Sequence, residues 1–255
     1  MIREKLIDKQ IGRSAEFRWR SHEISRIEGL SDAVFAFAVT LLVVSLEVPK
    51  TFSELKLAMH GFGAFAISFA LLFFVWFNQY KFFRRYGLQD NFTIVLNAVL
   101  LFVVLFYVYP LKFLFTYLVN ALSGGHGEVR LPNGNIEAMV EDGQMQQLMV
   151  IFGVGYVAIF AVFILLYWHA FRRRQQLELN ELEIFDTRNS ILEAILNCGV
   201  GLLSIAVAVV GGERYGGLAG PVYMLLGVIL TVNGAVMGKR RRRLEASLAS
   251  AVEGA

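Results

Sequence analysis

Long apolar runs separated by short charged stretches dominate this chain. A helix needs roughly 20 apolar residues to cross a bilayer. Six runs of about that length are present, at about 30–48, 58–80, 92–120, 147–170, 190–211 and 215–238. The third contains Pro110, and the sixth stops just before Lys239 and Arg240 to Arg243. The pattern predicts an all-α integral membrane protein with six transmembrane helices. A charged N-terminal segment over 1–28 precedes a membrane domain over 29–238, and a basic tail over 239–255 follows it.

Lys and Arg are enriched in cytoplasmic loops, so their distribution orients the spans. The N-terminal segment carries Arg3, Lys5, Lys9, Arg13, Arg18 and Arg20. The second connection has Lys81, Arg84 and Arg85, the fourth has Arg172 to Arg174, and the C-terminus has Lys239 to Arg243. The connections between these are poorer: Lys50 and Lys56, then Arg130, then Arg214. The alternation predicts both termini on the cytoplasmic side. Trp76 and Trp168 fall at inner helix ends, where aromatic anchors sit. The 123–145 connection is the longest, rich in Gly and Asn, and reads as a surface loop.

Composition agrees with this reading. The chain is 56% apolar and 18% charged, with mean hydropathy +0.55, against about 45–50% and about 25% in soluble domains. The first twenty residues are charged and have no apolar core, so no signal peptide is expected. The single Cys198 excludes an intrachain disulfide and reads as a small core residue. No Walker A loop, dinucleotide fingerprint, nucleophile elbow or His-Glu-x-x-His motif occurs. His126 has acids nearby but no metal-ligand spacing. No enzyme, metal or cofactor is therefore expected. A Thr-Val-Gly-Tyr-Gly filter loop and an inverted repeat of broken helices are also missing.

The polar residues within the spans carry the functional question. The first span begins Arg-Ile-Glu-Gly-Leu-Ser-Asp, with Arg26, Ser31 and Asp32 near the inner interface. These three read either as an interfacial helix start with capping residues or as a network in which Asp32 pairs with Arg26 or with donors on neighbouring helices. Further in, Phe37, Leu41 and Val44 share one helical face and Thr40 borders it. On spacing alone, that face meets either lipid or the protein core. Asn78 and Gln79 close the second span. Asn189, Glu193 and Asn197 recur at i, i+4 and i+8 in the fifth, and lipid cannot satisfy such a stripe. Glu193 reads as the most buried acid. It serves either as a structural partner of Arg26 or Arg188 or as part of an ion route.

The first span resembles the first helix of the prokaryotic relatives of the lysosomal potassium channel, transmembrane protein 175. That family's signature is Arg-x-x-x-Phe-Ser-Asp, then an apolar run with Thr-Leu-Leu and a closing acid and proline. Here Arg26, Leu30, Ser31 and Asp32 are followed by Thr40-Leu41-Leu42, Glu47 and Pro49. The segment Val75-Trp76-Phe77-Asn78-Gln79 is similar to the family's Trp-x-x-His-His pattern, with amides where histidines are usual. The resemblance implies a homotetramer in a prokaryotic cell membrane, with potassium permeating a central pore lined by the first helix and no carbonyl-loop filter. It implies a constriction at Phe37, Leu41 and Val44, a selectivity layer at Thr40, and a polar network of Arg26, Ser31 and Asp32. Asn78, Glu193 and Asn197 are candidate polar support, and Glu47 is expected at the outer mouth. Leu30 replaces the motif phenylalanine, and Phe37 replaces a usual isoleucine or leucine. The basic tail is expected to meet anionic lipid headgroups rather than nucleic acid. The alternative reading is a small-solute carrier or a non-conducting membrane scaffold.

Overall fold

The computed structural model describes residues 17–21, 23–44, 51–52, 55–56, 59, 62–122, 127–130, 136–141 and 143–253. Helix α1 (Arg26–Val44) is followed by α2 (Phe62–Tyr86) and α3 (Asn91–Leu122). Two short strands, β1 (Glu128–Arg130) and β2 (Ile136–Ala138), precede α4 (Gln144–Arg172) and α5 (Glu181–Tyr215). A 3₁₀ turn at Gly216–Leu218 and one helical turn at Ala219–Val222 lead into α6 (Leu225–Glu253).

Among the described residues, five segments are long and apolar enough to cross a membrane: Phe62–Tyr86, Asn91–Leu122, Gln144–Arg172, Glu181–Gly212 and Gly216–Ser250. Helix α1 adds 19 residues, roughly 28 Å at 1.5 Å per residue, close to a bilayer core. Its acidic start keeps it apart from the other five. The chain is an all-α membrane protein with one small β element.

The helices extend beyond their apolar runs for identifiable reasons. Helix α5 begins nine residues before the run at 190–211 because Asn180 and Glu183 form a reciprocal capping box outside that run. It is interrupted near its far end at Gly212, whose φ of 57° suits glycine. Residues 239–253, which fall in the expected basic tail, are helical and continuous with α6. The loop expected over 123–145 holds an antiparallel pairing of Glu128 with Ala138 and Arg130 with Ile136. His126 lies outside the described residues.

Helix α3 packs against α1, α2 and α4, and the α4–α5 contact is the most extensive in the molecule. Small residues permit that closeness. A Cβ on Gly153 of α4 would strike Ile205 of α5, and one on Gly201 of α5 would strike Val157 of α4. Phe82, Phe83, Tyr86, Leu100, Phe163 and Leu166 are fully buried between these helices. Cys198 is buried in the same cluster.

Polar clamps fasten the helix ends. Glu183, 1% exposed, accepts from Arg20 Nη2 at 2.7 Å and from the Arg18 backbone N–H at 2.9 Å. Arg20 also donates its backbone N–H to Arg84 at 3.0 Å, and Arg84 Nη1 donates to Ser21 at 2.9 Å. The segment 17–21 is thereby strapped across the ends of α2 and α5.

Asp90 joins the start of α3 to the end of α4. Its carboxylate accepts from Thr93 Oγ1 at 2.8 Å, lies 3.0 Å from His169 Nε2 and 3.6 Å from Arg173 Nη2. Burial pushes this carboxyl up, but Thr93, His169 and Arg173 outweigh it and hold it below the usual carboxylate range. A carboxyl held below its unfolded value of about 3.9 stabilises the fold fully above that pH. The contribution is lost as pH falls through the folded value. Wild-type protein should therefore lose thermal stability as pH drops below about 4. Asp90→Asn, which cannot ionise, should show a shallower acid dependence in detergent-solubilised melting curves. Parallel curves would remove Asp90 as a source of the acid sensitivity.

Candidate functional site

Helix α1 starts where a capping box places it. The Glu28 backbone N–H donates to Ser25 Oγ at 3.2 Å, and the Ser25 backbone N–H donates to Glu28 Oε1 at 3.2 Å. Ser31 and Asp32, expected as cap candidates, lie further along the helix. Ser25-x-x-Glu28 was readable as a cap signature in the sequence.

The two faces of α1 have opposite environments. Ser31, Phe35, Ala38 and Leu42 recur at helical spacing and are buried against α2 and α3. Leu30, Ala33, Phe37 and Thr40 occupy the other side, with Leu30 60% and Phe37 57% exposed. Among the described residues of one chain nothing covers this second stripe, which is apolar except for Thr40. Leu41 lies between the two faces and packs in part against the core. The Val44 side chain and Glu47 lie outside the described residues.

Three helices share a buried polar chain. Gln79 Nε2 donates to Asn97 Oδ1 at 2.8 Å, and Asn97 Nδ2 donates to Ser31 Oγ at 2.9 Å. Ser31 Oγ donates in turn to the Ile27 carbonyl at 2.8 Å. Ser31 is wholly buried, and Gln79 and Asn97 are each 2% exposed. Each amide thus finds a partner that lipid could not supply. Within one chain Ser31 is joined to Asn97, and through it to Gln79. Arg26 is exposed and makes no hydrogen bond or ion pair among the described residues. Asp32 Oδ1 accepts from the Trp76 indole N–H at 2.8 Å, so Asp32 takes a donor on the neighbouring helix. Trp76, expected as a membrane anchor, ties α1 to α2.

Below that bond an open groove of about 250 Å³ runs between α1 and α2. Asp32 stands at its edge and Phe35, Val39, Phe69 and Phe73 form its walls. Phe65, Phe69, Phe73 and Phe77 follow each other along α2 with centroids 6.0, 6.2 and 6.5 Å apart. Near the opposite end of α1, Lys112 Nζ donates to the Leu42 carbonyl at 2.6 Å. Sequence reasoning missed both Asn97 and Lys112. The signal for each was a polar side chain within an apolar run.

The remaining candidates lie elsewhere. Asn78 donates to its own helix at the Phe74 carbonyl, 2.8 Å away. Glu193 is half-buried and accepts from Asn189 Nδ2 at 2.8 Å. It pairs with neither Arg26 nor Arg188, and Glu183 is the more buried acid. Asn197 accepts from Tyr156 at 2.6 Å and donates to the Glu193 carbonyl at 2.8 Å.

Comparisons with known proteins converge on one family. A family model described as the endosomal/lysosomal potassium channel TMEM175 matches residues 26–107. That stretch contains Ser31, Gln79 and Asn97 of the buried chain. A potassium channel of Marivirga tractuosa is 42% identical over 243 residues, covering 94% of this chain and 98% of the relative. A potassium channel of Chamaesiphon minutus is 30% identical over 138 residues, 51% of this chain and 63% of the relative. The crystal structure of a variant of the potassium channel MtTMEM175, in complex with a Nanobody-MBP fusion protein, is similar with a TM-score of 0.75. Its identity is 43%, covering 88% of this chain and 97% of that one. The structure of a TMEM175 homologue from Chamaesiphon minutus, at 23% identity and a TM-score of 0.51, shares the fold over 87% of this chain and 99% of that one.

Asn97 is the central link of the buried chain. Asn97→Leu should cost about 1–3 kcal/mol, because it strands the Gln79 amide and removes the Ser31 donor. Adding Gln79→Leu should recover part of the loss, since no amide is then left unpaired. Thermal unfolding in detergent reads both. Strictly additive losses would show that the two amides are not coupled.

Proposed function

This chain belongs to the TMEM175 potassium-channel family, and we propose that it assembles as a homotetramer whose central pore, lined by α1, conducts potassium across the cell membrane. The observation that carries this reading is the uncovered apolar stripe on α1, opposite a face tied down by Ser31, Phe35, Ala38 and Leu42. Four copies around an axis bring those stripes together and leave the buried face to the subunit. The potassium channel of Marivirga tractuosa, alike over almost its whole length, supports the same activity.

The pore works through side-chain rings rather than loop carbonyls. An apolar ring narrows the path and resists wetting, because ions lose hydration that the ring does not replace. Phe37 is the bulkiest exposed side chain on the stripe and forms the constriction, with Leu41 and Val44 as the next rings. Thr40 supports selectivity. Its hydroxyl donates to the Phe37 carbonyl at 2.6 Å, which commits its hydrogen to the helix. The oxygen lone pairs are then left for a passing cation. Glu47 at the outer mouth adds negative charge that concentrates cations. Both termini lie in the cytoplasm, and the basic end of α6 contacts anionic lipid headgroups. Ser31 and Asp32 hold the pore helix within the subunit, through Asn97 and Trp76, and Arg26 is left for the contact with neighbouring subunits.

Protein reconstituted in liposomes under a potassium gradient should show passive, non-saturating potassium flux. Saturable, stoichiometric exchange would identify a carrier instead. Phe37→Ala should raise the flux by about an order of magnitude, the effect of removing ~1.4 kcal/mol of barrier. Unchanged flux would take Phe37 out of the ion path. Thr40→Val should lower the potassium-to-sodium permeability ratio measured from reversal potentials, and an unchanged ratio would place selectivity elsewhere.

A further inference from the structure

A second polar region lies away from α1. A cavity of about 180 Å³ opens between α2, α4, α5 and α6, with Asn78, Lys81, Ser190, Glu193 and Asn197 on its polar side and Phe74, Phe160 and Leu230 on its apolar side. Helix α2 lines one wall and Leu230 of α6 lines another. The volume equals on the order of six waters.

The opposite charges around this cavity face each other without closing an ion pair. Among the described residues Lys81 meets Glu193 only at a distance, and its Nζ lies 5.2 Å from the Phe77 ring centroid. Glu193 receives one hydrogen bond at Oε1, from Asn189, which leaves Oε2 free. Asn78 spends its amide N–H on the Phe74 carbonyl, so its Oδ1 remains an acceptor. One wall thus offers a cation, and the others offer a carboxylate and an amide oxygen. Charged groups at a membrane boundary call for partners, and here both signs face one space.

The cavity lies near the end of α2, where the apolar run gives way to Arg84 and Arg85. Arg85 Nη1 lies 3.5 Å from Ser190 Oγ and sets the antiparallel α2 and α5 in register. Lys81 and Glu193 each sit one turn further into the membrane from that contact. Lys81 is only about 7 Å along the helix from its end at Tyr86.

We infer that this cavity binds the headgroup of an ethanolamine phospholipid, with the phosphate at Lys81 and the primary ammonium at Glu193 and Asn78. Charge complementarity selects this occupant. A zwitterion answers both signs at once, and its ammonium supplies N–H donors to the free oxygens. A choline headgroup has no N–H to donate. A glycerol headgroup brings only the anion. The acyl chains run along Phe74, Phe160 and Leu230.

The test equilibrates the full-length protein with vesicles containing equal parts of phosphatidylethanolamine, its N,N-dimethyl form, phosphatidylcholine and phosphatidylglycerol. Extraction in mild detergent and mass spectrometry of the co-purifying lipid then give the retained composition. Ethanolamine lipid should be enriched about tenfold over choline lipid, the dimethyl form falling between. Glu193→Gln and Lys81→Met should each lower that enrichment, and Lys81→Arg should restore it. Equal retention of ethanolamine and choline lipid by wild-type protein would overturn the inference, with the cavity holding water only. So would phosphatidylglycerol matching phosphatidylethanolamine, which would leave a plain anion site. The wild-type headgroup series stands whether or not the variants fold, and it reads lipid rather than potassium flux, so it is independent of the channel assignment.

Discussion

Hydrocarbon supplies no hydrogen-bond partner, so each polar group at membrane depth must be answered by protein. The orientation of α1 follows from that constraint. Ser31, Asn97 and Gln79 satisfy one another across three helices, and only one rotation of α1 permits this. With Ser31 turned inward, Phe35, Ala38 and Leu42 turn inward too. Phe37 and Thr40 are then carried to the uncovered side. The proposed pore lining is the reverse face of a polar lock.

The lock is reinforced at both ends of the helix. Ser25 and Glu28 fix the first turn, Asp32 holds Trp76, and Lys112 reaches the Leu42 carbonyl. Just before α1, Arg18 and Arg20 are gripped by Glu183 at the start of α5. Any motion that widens a path along α1 must bend the helix between these ties or break them. The buried amides resist rotation most, because an exposed amide in lipid has no substitute partner. These ties hold the proposed pore lining in one orientation.

Much of this was legible in the sequence, and what was not has physical causes. Hydropathy located the spans because burial in lipid selects apolar runs. It does not mark helix ends, because a helix continues wherever its backbone is capped and unbroken. Asn180 and Glu183 start α5 well before its apolar run, and the arginines after Lys239 extend α6 rather than end it. The pairing of Glu128–Arg130 with Ile136–Ala138 lies in a connection that composition marks only as a surface loop. Ser31 and Asp32 were legible as polar groups that need partners, whereas the partners themselves, Asn97 and Trp76, lie far off in the chain. Residues 66 positions apart, Ser31 and Asn97, share a hydrogen bond that no local pattern displays. Glu193 drew attention through its stripe, yet the deeper acid is Glu183, buried by two arginines from the other end of the chain.

The central claim is that the uncovered face of α1 meets the ion path. Single cysteines placed along α1 in a Cys198→Ala background test it, with a water-soluble thiol reagent applied to reconstituted protein during potassium flux. Cysteines at Leu30, Ala33, Phe37 and Thr40 should react and block flux, while those at Phe35, Ala38 and Leu42 should not. Block from the second set, or from both sets alike, would contradict the account.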